Sequence, residues 1–167
     1  MTIGSKPEGI VSANGKLFIA ISGLNGIWSA GTKVAVVDES TFQIIKNISV
    51  KVNPTNIVSN GDDVFVVSTG SYSDGIGMLT KIDATSMNIL DTLIINKNPG
   101  RLALGDENEL YVINGDGLVY ISSSTMSIIK ETLISGGDVN NIYSTINAVG
   151  YDRDADLLYL GNPKDYQ

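Results

Sequence analysis

Asp152-Arg153-Asp154-Ala155-Asp156 sets three carboxylates on alternate residues, the spacing with which a calcium loop presents its oxygens. Two other positions oppose that reading. The sixth, where such a loop turns on glycine, is Leu157, and the twelfth, where a glutamate closes the site, is Pro163. Arg153 also places a positive charge inside the cluster. Asp152, Asp154 and Asp156 are therefore read as turn residues, and no metal is assigned. The aromatic residues offer a second kind of chemistry. Trp28, the sole tryptophan, sits in Ser22–Thr32 among Gly, Ser and Asn, Tyr72 sits in the similar stretch Ser68–Gly77, and Tyr166 follows Gly161-Asn162. A ring beside small polar residues is an apolar platform with a polar handle, which suits sugars and peptides. The competing expectation is that these rings fold back and cover their own strands. Arg101 is the remaining candidate, a cation able to pair with an anionic ligand.

What is missing narrows the chemistry further. The 167 residues include no histidine and no cysteine. That removes histidine-based triads and zinc sites, disulfides, thiolate chemistry and the usual general base near neutral pH. No catalytic constellation and no cofactor site is visible, so the expectation is a non-enzymatic protein. The net charge of -7, with 11 scattered basic residues, opposes nucleic-acid binding. No apolar run is long enough for a membrane span. Met1–Lys6 lacks the apolar core of a secretion signal, so the expectation is a cytoplasmic chain or one whose natural N-terminus lies upstream. Hydrophobic residues at 43% and charged residues at 17% predict an ordered domain rather than disorder.

The elements that position these candidates come from a repeat. Pro7-x-x-Ile10, Pro54-x-x-Ile57 and Pro99-x-x-Leu102 open units 47 and then 45 residues apart. An apolar run follows at a constant offset: Leu17-Phe18-Ile19, Val64-Phe65-Val66, Leu110-Tyr111-Val112 and Leu158-Tyr159-Leu160. Then come Val34–Asp38, Leu79–Asp83 and Leu118–Ser122. Each unit divides into four short strands, here called A to D. Strands B and C are almost continuously apolar, which marks strands buried on both faces. Asn14-Gly15 and Asn60-Gly61-Asp62 supply tight A–B turns. In the C–D turns, Asp38, Asp83 or Ser122 places a side-chain acceptor where it closes the turn onto the backbone. A helical solenoid is opposed by the density of Gly and β-branched residues, and a β-helix has shorter rungs. The sequence predicts an all-β protein, a β-propeller of four-stranded antiparallel blades, in one domain over 1–167. The repeats span approximately 6–52, 53–97, 98–145 and, in part, 146–167.

Tyr111-Val112-Ile113-Asn114 and Tyr159-Leu160-Gly161-Asn162, with Pro99–Leu102, resemble the Tyr-Val-Thr-Asn repeats of bacterial surface-layer-type β-propellers. The Asp38-x-x-Thr41 and Asp83-x-x-Ser86 turns match the same repeats. Phe18–Ile21 and Phe65–Ser68 depart from the tetrapeptide, so the first two units are diverged. The resemblance implies a secreted, cell-surface or periplasmic bacterial protein.

About three and a half blades are present, an incomplete ring, since propellers usually have about 4–8. An open stack predicts one apolar blade face exposed at each end, self-association through those faces, or dependence on further blades. Strand parity puts the B–C loops and D–A connections on one face of the propeller, with Trp28, Tyr72, Tyr166 and Arg101. The expected function is a binding module for a carbohydrate or protein on that face. A purely structural propeller, and a propeller-type lyase or hydrolase with its catalytic residues in further blades, are the alternatives.

Overall fold

A computed structural model of the chain describes residues 3–23, 30–71, 73–106, 108–135 and 146–161. Among these residues fourteen strands form four sheets. Blade 1 is β1 (Ser5–Ala13), β2 (Lys16–Gly23), β3 (Ala30–Asp38) and β4 (Ile44–Ser49). Blade 2 is β5 (Pro54–Ser59), β6 (Asp63–Ser68), β7 (Ile76–Asp83) and β8 (Ile89–Asn96). Blade 3 is β9 (Arg101–Leu104), β10 (Glu109–Asn114), β11 (Gly117–Ser122) and β12 (Ser127–Ser135). A half-blade, β13 (Ala148–Asp152) and β14 (Leu157–Gly161), follows. Every sheet is an antiparallel meander in chain order, and the innermost strands β1, β5, β9 and β13 bring successive sheets together. No helix among the described residues is long and apolar enough to cross a membrane.

The repeat is a repeat of packing. Side chains alternate across each strand, so the two sides of a blade carry different residues. The aromatic position of strand B always faces the next blade. Phe18 packs against Ile57, Val64 and Val66 of blade 2, and Phe65 against Leu102, Leu110 and Val112 of blade 3. Tyr111 packs with Leu158 and Leu160 of the half-blade. Each such ring contributes about 1.5–3 kcal/mol by leaving water. Their exposures are 0%, 0% and 8%, whereas Tyr159, with no following blade among the described residues, is 57% exposed beside the exposed Leu157. Strand A shows the converse. Ile57 and Leu102 point back onto the preceding blade at 5% exposure, and Ile10, with no preceding blade among the described residues, is 58% exposed.

The expectation of an open apolar face at each end holds only in part. On the back of blade 1, Ile19, Ile21, Ala35 and Val37 are buried, and Ile3 packs against them. Ile10 on strand A stays exposed there. The half-blade end remains open.

The C–D turns close as their sequence implies. Asp38 accepts the backbone N–H groups of Ser40 and Thr41 at 3.1 and 2.8 Å, Asp83 those of Thr85 and Ser86, and the Ser122 hydroxyl that of Thr125. The last residue of each turn, Phe42, Met87 and Met126, has a left-handed backbone, with φ of 54°, 57° and 48°.

Candidate functional site

Two D–A connections and the start of β1 meet where strands A begin, and their local chemistry shapes what lies there. Lys6, Asn53 and Asn98, each directly before a proline, adopt φ of 53°, 58° and 49°. Asparagine tolerates this region because its short side chain bonds locally. Asn53 donates to the Gly70 carbonyl at 2.9 Å and Asn98 to the Ser71 carbonyl at 3.3 Å, so both connections are tied to the B–C loop of blade 2. Pro99 is seated against Gly77, where a Cβ would lie 2.3 Å from the proline ring. Thr55 donates to the Gly100 carbonyl of the next blade at 3.2 Å and meets the Thr69 hydroxyl at 3.3 Å.

These contacts frame an open cleft of about 290 Å³ lined by Glu8, Thr55, Thr69, Asn98, Gly100 and Arg101. It opens on the face shared by the B–C loops and D–A connections. Arg101 is the first residue of β9 and exposed; among the described residues no carboxylate lies within ion-pair distance of it. Glu8 is held by the Ser22 hydroxyl at 2.9 Å. The cleft therefore offers hydroxyls, an amide, a carboxylate and an unpaired guanidinium around one concavity. Such a lining holds a polar ligand by hydrogen bonds and one charge. Glu8, Thr55 and Gly100 follow equivalent prolines, so the repeat itself is the signal that groups them. Of the positions proposed from sequence, Arg101 is placed in this cleft. Trp28, Tyr72 and Tyr166 lie outside the described residues.

The opposite face carries a second polar cluster, which the sequence did not single out. Glu109 accepts the hydroxyls of Tyr111 and Tyr120 at 2.9 and 3.0 Å. The Tyr111 ring stacks on Tyr120 at 5.4 Å between centroids and on Tyr151 of the half-blade at 6.3 Å. Gly105 makes room, since a Cβ there would lie 2.8 Å from the Tyr111 ring. Burial, then the bond to Glu109, pushes the Tyr111 hydroxyl well above its ordinary value, and the bond to Asp156 does the same for Tyr151. Asp152 is committed to its turn, accepting the N–H groups of Asp154 and Ala155 at 3.0 and 3.2 Å. Among the described residues no three acidic side chains converge as a metal site. The cluster fastens the half-blade to blade 3.

No family model and no curated protein matches the sequence. Solved structures do match. The hydrazine synthase of Kuenenia stuttgartiensis aligns over 93% of this chain and 49% of its own, at TM-score 0.70 and 16% identity. The dihydro-heme d1 dehydrogenase NirN, solved with DHE, aligns over 95% and 32%, at 0.64 and 18%. BamB from Moraxella catarrhalis aligns over 92% and 39%, at 0.61 and 14%. The fold is a β-propeller, present as an incomplete ring. At these identities the likeness is one of fold, and the chain spans a third to a half of the length of these matches. They include enzymes, and fold alone does not choose among functions.

Proposed function

We propose that this chain is a non-catalytic, secreted or cell-surface propeller module that binds a carbohydrate or protein ligand on the B–C loop face. The axial cleft carries this reading: hydroxyl, amide and carboxylate groups surround the unpaired guanidinium of Arg101. These groups recognise a polar ligand bearing a negative charge, and they include no pair poised as nucleophile and base. The repeat resemblance to surface-layer-type propellers supports a bacterial, extracellular setting. A screen of acidic and neutral glycans and of peptides, read against the Arg101→Ala variant, tests it. Removing a charge-assisted hydrogen bond of about 1.5–3 kcal/mol weakens binding roughly 10- to 150-fold. A ligand bound equally well by Arg101→Ala, or displaced by changes in the turns of the opposite face, would refute the site.

A further inference from the structure

The side chains around the axial cleft divide by hydrogen-bonding sense. Thr55 has one proton, and two carbonyls compete for it: Gly100 at 3.2 Å and Val67 at 3.5 Å. With that proton on a carbonyl, the 3.3 Å contact between the Thr55 and Thr69 hydroxyls runs from Thr69 to Thr55. Both protons are spent inside the wall, and the two hydroxyls have lone pairs left to offer. Glu8, as a carboxylate, only accepts, and the Ser22 hydroxyl takes up one of its oxygens at 2.9 Å. Asn98 spends one amide N–H on the Ser71 carbonyl and keeps the other. Arg101 is the opposite in kind, since a guanidinium carries its N–H donors in a rigid planar fork and accepts nothing. The lining is thus rich in acceptors and holds one cationic fork.

We propose that the cleft takes a single sugar unit bearing a carboxylate, a ligand of the hexuronic acid type. Its hydroxyls donate to Glu8, Thr55 and Thr69, and its carboxylate lies in the fork of Arg101. This rests on the cleft being the binding site and narrows what enters it. A sugar ring carries several O–H donors on one small frame, as the acceptors require. An acidic peptide brings one backbone N–H per residue among carbonyls and carboxylates, which would face the lone pairs of Glu8 and the threonines with no proton between them. Glu8 also limits the charge: one negative group is matched by Arg101, whereas a dianionic phosphate would meet a carboxylate in the same cleft. At about 290 Å³ the cleft lies at the lower end of ligand-site sizes, with room for one ring.

The test is an amide-resolved NMR titration of the full chain. The probes are methyl glycosides of glucuronic, galacturonic and mannuronic acid, the matching neutral hexosides, a hexose phosphate, glutarate and an acidic peptide. At least one uronic acid glycoside should bind saturably and shift the amides of Thr55, Thr69 and Gly100, with its neutral counterpart about tenfold or more weaker. Arg101→Ala should erase that difference, weakening the acidic sugar by about tenfold or more and leaving the neutral one within about twofold. Glu8→Ala should weaken both sugars by a similar factor. Both side chains are exposed, so these variants keep the core packing. Glutarate, with the charge but no hydroxyls, should not saturate. If the peptide, the phosphate or glutarate binds more tightly than every acidic sugar and is lost in Arg101→Ala, the sugar acid is overturned while the site stands. If no probe shifts those amides, or Arg101→Ala binds all of them equally well, both the sugar acid and the site fall.

Discussion

The junction between blades 2 and 3 and the junction between blade 3 and the half-blade use the same repeat positions with opposite chemistry. At the first, Phe65 is fully buried and Lys81, its cross-strand partner, lies 5.6 Å over the ring. That lysine also pairs with Asp63 at 2.9 Å and donates to the Ser123 carbonyl of the next blade at 3.2 Å. At the second, the corresponding pair is Tyr111 and Tyr120, stacked and sharing Glu109. Both settings fill one space, the first with an apolar ring under a paired cation, the second with a polar aromatic network. A complete blade can bury a lysine against its neighbour's turn, whereas a half-blade has only an A–B turn and two strands to offer. The first junction owes its strength to area, the second to satisfied hydroxyls.

Cutting the area term has the largest effect. Phe65→Ala should cost about 3–5 kcal/mol in urea unfolding, while Tyr159→Ala, at the same repeat position without a covering blade, should stay within about 0.5 kcal/mol. Equal losses would show that the half-blade end is covered in solution. Next comes the cation. Lys81→Met keeps the stem but breaks the bonds to Asp63 and Ser123, and should lower stability by about 1–3 kcal/mol. Smaller, and of opposite sign, is Thr80→Val. The Thr80 hydroxyl is buried with no hydrogen-bond partner among the described residues, as is that of Ser68, so an isosteric apolar side chain should stabilise by about 1 kcal/mol, seen as a raised Tm.

The pH response separates the regions most finely. The Ser40 hydroxyl and the Thr41 backbone N–H hold the Asp38 carboxyl at about 2 instead of 3.8, and the Ser86 N–H lowers Asp83 in the same direction. A carboxyl lowered by folding contributes stability that is complete above pH 3.8 and lost as pH falls toward 2. Tyr111 and Tyr151 are raised above 10, so their contribution is complete below pH 10 and lost above it. Thermal unfolding across pH should show the acid loss diminished by Asp38→Asn and the alkaline loss diminished by Tyr111→Phe. A Tyr111→Phe protein with an unchanged alkaline limb would remove the tyrosine network from the account of the half-blade junction.

Much of this was legible in the sequence, for a physical reason. Strands buried on both faces must be apolar throughout, so Val34–Val37 and Val64–Val67 announced themselves, and a turn closed by a side-chain acceptor needs a residue such as Asp38 or Asp83 at a fixed place. Arg101 could be placed because it follows a repeated proline. The left-handed Phe42, Met87 and Met126 could not, because nothing in those side chains favours that backbone; the turn imposes it on whatever residue stands there. Nor was the role of Tyr120 and Tyr151 visible. Stacking across a blade boundary depends on register between sheets, which no local pattern encodes. The covering of Ile19 and Ile21 was missed because it depends on where Ile3, a residue outside any strand, packs.

The aromatic of strand B points to the following blade at every junction and the aliphatic pair of the next blade points back, so each interface joins two unlike surfaces. Tongue meets groove, and the order cannot be reversed. Two half-blade ends brought together by a twofold axis would set Tyr159 against Tyr159, with no aliphatic groove to receive either ring. The stack therefore has a direction, and whatever lengthens it at Tyr159 must arrive groove first.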